Sequence, residues 1–140
     1  MPARQKHHQD LIDNFILADN RAARFIAHFG RDGIAVIAIA VQLSRATRPG
    51  NREAPEVVKK YVNYGVSVRS AQYLALGGKA LAVLDGRYNV SVEDIQKLVY
   101  PVFRHRLLLN FHAESEGVTS EHIIEKLLAT VPVPKSGLKD

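Results

Sequence analysis

The sequence predicts an all-α protein, a small helical bundle, and three observations carry that class. Helix-start signals of one kind recur at Ser67, Ser91 and Thr119. Each precedes a run with apolar residues at helical spacing. The most apolar run, "IAVIAIAV" from Ile34 to Val41, has no second convincing strand to pair with. There is also no cysteine, so disulfide scaffolds, thiolate zinc sites and cysteine nucleophiles are excluded.

The elements follow in chain order. Asp10 to His28 reads as a helix with Leu11, Phe15, Ala18, Ala22, Phe25 and Phe29 near one face, broken by Gly30 and Gly33. "IAVIAIAVQLSRAT" is apolar on every face, so periodicity alone allows a buried helix or a buried strand, and helix is preferred for want of a pairing strand. "RATRPGNREAPE", Arg45 to Glu56, is the main break, interrupted by Pro49, Gly50, Asn51 and Pro55. The next helix opens at the cap Ser67 and stops at Gly86, a residue suited to helix ends. Gly77 and Gly78 lie in its interior, where each costs about 1 kcal/mol relative to alanine, and close packing against another helix is the plain reason for them.

In "NVSVEDI", Ser91 is the cap and Asp94 sits where a capping-box acid belongs. Val90 and Ile95 hold the two positions of a hydrophobic staple. Ile95, Leu98, Val99 and Val102 form the apolar stripe, and Pro101 should kink or end the last turn. In "GVTSEHIIEKLLATV", Thr119 caps, Val118 and Ile123 form the staple, and Ile123, Ile124, Leu127, Leu128 and Val131 are the buried stripe. "VPVPKSGLKD" cannot continue a helix through Pro132 and Pro134. The expected division is an N-terminal helical segment over 1–32, a helical domain over 33–134 and a tail over 135–140.

The net charge of +5 is unevenly spread. Residues 1–60 carry 10 Lys+Arg against 6 Asp+Glu, residues 61–112 carry 6 against 3, and residues 113–140 carry 3 against 5. A basic body with an acidic end suits nucleic acid, a nucleotide or an acidic partner surface. "IAVIAIAV" falls far short of the ~20 apolar residues of a membrane span. "MPARQKHHQDLIDN" lacks the apolar stretch of a secretory signal. A cytoplasmic protein with no membrane contact is expected.

A phosphate loop fails on its spelling. Gly78-Lys79 is followed by Ala80, the residue five before Gly78 is Tyr73, and the pair lies inside a helix. "LAVLD" lacks the second acid of a Walker B strand, so no hydrolysis is expected from this chain alone and no catalytic residue is assigned. The six histidines have no metal-ligand spacing, and no metal is assigned.

Arg69 stands two residues after Ser67, in the first turn, where unpaired N–H groups and a partial positive charge favour an anion. It suits a phosphate beside the helix end. A surface arginine paired with a carboxylate is the competing reading, and spacing by itself favours the latter. Arg104, His105 and Arg106 in "FRHRLLLN" form a basic patch open to phosphates or to a neighbouring subunit. A solvated helix end is the competing reading, and the residues by themselves favour it.

In combination, "GVSVRSAQYLALGGKALAVLDGRYNVSVEDIQKLVYPVFRHRLLLNFHAESEGVTSEHIIEKLLATVP" resembles the C-terminal lid of MoxR-type AAA+ ATPases. The carrying motifs are Gly65-x-Ser67-x-Arg69, Leu84-x-Gly86-Arg87, the helix from Val90 to Asp94, Arg104-His105-Arg106 and "EGVT". The resemblance runs from Val57 to Pro134 and back through "QLSRATRPG". It implies that Arg69 is the sensor 2 residue, reaching the γ-phosphate of ATP, with Ser67 as the cap beside it. Val68 stands where the family has proline, which loosens the helix start.

The resemblance further implies a chaperone-like ring, with ATP and Mg2+ held mainly by a core domain whose motifs are absent from residues 1–32. The implied partners are that core, neighbouring subunits and von Willebrand A-domain proteins. Two alternatives come from the residues themselves. One is a basic helical module binding nucleic acid through Lys59, Lys60, Arg87, Arg104 and Arg106, against which the scarcity of interleaved aromatics counts. The other is a structural domain dimerising through "IAVIAIAV".

Overall fold

The computed structural model describes residues 33–133. The helix expected over 10–28, the segment 1–32 and the tail 135–140 lie outside the described residues. The described chain runs α1 (Gly33–Ala46), α2 (Glu56–Tyr61), β1 (Val62–Tyr64), α3 (Val68–Leu84), α4 (Val92–Phe103), β2 (Leu108–Leu109), α5 (Phe111–Glu116) and α6 (Ser120–Thr130). It is a helical bundle with one small two-stranded addition.

The apolar run is helical. In α1 every residue from Val36 to Val41 is buried, with Leu43 and Ala46 beyond them. A helix apolar all round needs cover on all sides, and α3, α4 and α6 pack against it. The core continues through Leu74 of α3, Ile95, Val99 and Phe103 of α4, and Ile123, Ile124 and Leu127 of α6, each fully buried.

Local chemistry sets the ends of these helices. At α4 the capping box is complete: Ser91 Oγ accepts from the Asp94 N–H at 3.2 Å, and Asp94 Oδ2 accepts from the Ser91 N–H at 2.9 Å. Thr119 caps α6 by accepting from the His122 N–H. Asn110 caps α5 through the Ala113 N–H and also donates to the Lys60 carbonyl at 2.7 Å. Pro101 is accommodated in the last turn of α4, which closes two residues later.

Ser67 corrects the sequence reading in part. It occupies the N-cap position of α3, but its side chain caps nothing. The Ser70 N–H, which the hydroxyl would take, is bonded instead to the Ser67 carbonyl at 3.0 Å.

Gly77 and Gly78 are where α3 meets α4. A methyl group on Gly77 would sit 2.8 Å from Leu98 Cδ1, and one on Gly78 would sit 2.7 Å from Val90 Cγ1 and 3.0 Å from Ile95 Cδ1. Close helix approach is therefore their role. β1 and β2 pair antiparallel with an irregular register, Val62 opposite Leu109 and Tyr64 opposite Leu108. With the Asn110 N–H donating to the Tyr61 carbonyl at 2.9 Å, they clip α2 to α5. This ladder was not read from the sequence, because strands of three and two residues carry no alternation to read.

Candidate functional site

The site begins in the turn that follows α1. Hydrogen bonds from Thr47, Arg48, Asn51 and Ala54 N–H groups to carbonyls three residues back fold residues 44–54 tightly. Asn51 Nδ2 donates to the Arg45 carbonyl, and the Arg45 and Glu53 side chains pair at 3.0 Å. This turn presents Thr47, fully buried, and Arg48, half-buried, to the segment leading into α3.

Both residues grip one peptide unit each side of Val66. Thr47 Oγ1 donates to the Ser44 carbonyl at 2.6 Å and accepts from the Val66 N–H at 2.9 Å. Arg48 Nε donates to the Val66 carbonyl at 3.3 Å. The contact leaves no room for a side chain at Gly65, where a Cβ would lie 2.5 Å from the Thr47 carbonyl oxygen. Thr47, Arg48 and Gly65 acquire no role from sequence reasoning. The available signal was the joint presence of "RATRPG" and a glycine two residues before the serine.

Ser67 then takes an extended conformation, and α3 begins at Val68. Arg69 is the second residue of the helix and is exposed. Among the described residues it has no hydrogen-bond or ion-pair partner, so the expected alternative of a pairing with a nearby carboxylate is not what the described residues hold. The first turn contains no acidic residue. The Val68 and Arg69 N–H groups lack intrahelical partners by geometry, while the Ser70 N–H is bonded to the Ser67 carbonyl and the Ser67 hydroxyl takes none of the three. Ser70, next along, has its hydroxyl buried without a partner among the described residues.

The cations of the nucleic-acid alternative are engaged. Arg87 donates through both terminal nitrogens to Asp94, at 3.0 and 2.8 Å, and also meets Asp85 at 3.1 Å. These bonds raise the Arg87 pKa and hold the Asp94 carboxyl below the usual aspartate range, Arg87 being the main cause and the Ser91 bonds adding to it. Lys60 pairs with Glu116 at 3.6 Å and lies over the Tyr61 ring. The Tyr61 hydroxyl donates to Glu116, which lowers the Glu116 pKa, with Lys60 helping. Lys59 lies 3.8 Å from Glu56.

Arg104, His105 and Arg106 are all exposed, just beyond α4. Arg104 Nε pairs with Glu121 of α6 at 2.5 Å. Arg106 donates to the Val102 carbonyl at 2.8 Å and stacks over Tyr73 at 5.1 Å. Tyr73 is one turn beyond Arg69, so the structure brings Arg106 to the face of α3 that Arg69 opens. The five cations of the nucleic-acid alternative thus each have a local partner, and the α1 run of the dimerisation alternative is buried within this chain's own core.

Fold and site together define a helical lid module: a bundle around one buried helix, in which the longest of the described helices opens on an arginine that is exposed and unpaired among the described residues. The chain belongs to the AAA lid domain family, which matches residues 54–127, and is a lid of the MoxR type. It is similar to Chaperone MoxR1 of Mycobacterium tuberculosis, 29% identical over 119 residues that cover 85% of this chain and 30% of that protein. Protein MoxR of Paracoccus denitrificans is 32% identical over 77 residues, 54% of this chain and 22% of that protein. The crystal structure of a candidate ATPase from Cytophaga hutchinsonii superposes with a TM-score of 0.69 at 31% identity, covering 82% of this chain and 34% of that one. The chain therefore spans between 22% and 34% of the length of these relatives.

Proposed function

We propose that this lid closes over a nucleotide held by an ATPase core, that Arg69 contacts the γ-phosphate of ATP, and that lid movement passes the nucleotide state to neighbouring subunits of a chaperone-like ring. The observation that carries this reading is the start of α3. Arg69 is exposed and unpaired among the described residues, on a turn whose first two N–H groups lack intrahelical partners and which holds no acid. Those features fit a phosphate and offer Mg2+ no ligand, so a metal would be held by the core.

ATP supplies the phosphate whose presence or loss the lid distinguishes. The guanidinium offers forked donors to phosphate oxygens, and the helix end adds a favourable partial charge. Only a group that meets the γ-phosphate gains from ATP over ADP, which is the differential affinity a switch requires. The 17 residues of α3 make a lever of about 25 Å at 1.5 Å per residue. Tyr73, Leu76 and Val83 lie exposed at helical spacing from Arg69 and give the core an apolar face to meet.

The packing of α1 on α3, α4 and α6 supports counting α1 with the lid; the division into 1–32, 33–134 and 135–140 rests on the sequence alone. Von Willebrand A-domain partners rest on the resemblance alone, and a cytoplasmic location rests on the sequence reading. No helix among the described residues is long and apolar enough to cross a membrane.

The test is Arg69→Ala in the complete core-plus-lid ATPase. Loss of a charge-assisted contact of about 1.5–3 kcal/mol should weaken binding of a non-hydrolysable ATP analogue roughly tenfold to a hundredfold. ADP affinity should hold. Unchanged ATP affinity and turnover would remove Arg69 from the site.

A further inference from the structure

The start of α3 is held in an unusual way. Ser91, Asn110 and Thr119 each cap their helix with a side chain, whereas Ser67 does not. Position 68 carries valine, so no proline ring presets the first helical φ either. The longest helix among the described residues thus has neither a side-chain cap nor a proline to define its start. What fixes it comes from outside: Thr47 and Arg48 hold the N–H and the carbonyl of Val66, the residue just before the N-cap. Gly65 lets the two backbones come within contact.

We infer that Thr47 and Arg48 are positioning residues for Arg69, a clamp that sets where α3 begins and hence where its arginine reaches. The inference rests on the reading of Arg69 as a γ-phosphate contact. Three observations support a positioning role over general packing. The clamp takes both hydrogen-bonding groups of a single residue. That residue lies three positions before Arg69, too few to absorb a displacement. Finally, the clamp links α1, the buried centre of the bundle, to a helix start that has no side-chain cap of its own. A shift there would be transmitted to the guanidinium with little loss, and a displacement near 1 Å at a reacting group can cost about a hundredfold.

The test uses the complete ATPase with Thr47→Val, which keeps the shape and removes the hydroxyl, and Thr47→Ser, which keeps the hydroxyl. Arg48→Met removes the other half of the clamp from its half-exposed side and serves should Thr47→Val not fold. ATP-analogue and ADP affinities are measured for each, alone and combined with Arg69→Ala. Thr47→Val should weaken analogue binding, by up to about a hundredfold, and leave ADP binding intact. Thr47→Ser should restore it, and the combination with Arg69→Ala should be no weaker than Arg69→Ala alone, because the clamp acts through that arginine.

If Arg69→Ala weakens the analogue and the clamp variants do not, the clamp is overturned and the sensor reading stands. Equal losses for ATP and ADP, or effects that add to Arg69→Ala, also overturn it by making the role a general structural one. Should Arg69→Ala itself be silent, both fall together.

Discussion

Asp94 takes three hydrogen bonds, one from the Ser91 N–H and two from Arg87, while only 3% exposed. Its carboxyl is held below the ordinary value, so the unfolded chain binds that proton more tightly than the folded one. Stability from this group is complete above the unfolded pKa of about 4 and is lost as pH falls through the lower folded value. Asp94→Asn should therefore destabilise the chain by about 1–3 kcal/mol at pH 7, and the gap from the unsubstituted chain should close as the medium is acidified past that range. Urea midpoints at several pH values measure it, and a gap that widens with acid would refute the assignment. The Ser91–Asp94 box is legible in the sequence because its bonds span three residues. The Arg87 bonds are not, because the arginine arrives from across the turn that Gly86 makes at φ 70°. For that reason Arg87 could be read as a free cation. Ser67 shows the converse, a cap legible in spelling whose hydroxyl is left unused.

At the scale of elements, α3 and α4 meet through two adjacent glycines whose neighbours differ in what they can yield. The Leu98 methyl facing Gly77 is the far end of a flexible, half-buried side chain. Gly78 faces Val90, stiff at χ1, and Ile95, which is fully buried. Replacing a mid-helix glycine by alanine gains up to about 1 kcal/mol in propensity, against about 1–3 kcal/mol for overpacking a core that cannot shift. Gly77→Ala should accordingly be neutral or slightly stabilising. Gly78→Ala should cost about 1–2 kcal/mol net by the same balance, read from the two denaturation midpoints. Equal effects would mean that α4 moves as a body. The glycine pair announces close packing from sequence alone, yet which glycine bears the less yielding contact depends on which side chains of α4 and of the turn before it face each one. The β1–β2 clip is less legible still, since its Tyr64–Leu108 pairing joins segments more than forty residues apart.

The molecule as a whole is organised around α1, and this is where sequence patterning says least. A run apolar on all faces fits a buried helix, a buried strand or an oligomer seam, because periodicity vanishes once every face is covered. The structure resolves this by surrounding α1 with α3, α4 and α6 of the same chain. Ile39, 1% exposed at the centre of α1, is the sensitive probe. Ile39→Ala should lower stability by about 3 kcal/mol through lost burial and the cavity left behind, with Ile39→Val costing about 1 kcal/mol and preserving the fold. Because the partners are intramolecular, the unfolding midpoints of both variants and of the unsubstituted chain should not depend on protein concentration. A seam between copies of α1 would instead raise the midpoint as concentration rises, by mass action. Unfolding followed over a hundredfold range of concentration separates the two. A midpoint that climbs across that range would put α1 at an interface and deprive α3 of the fixed base from which its arginine is aimed.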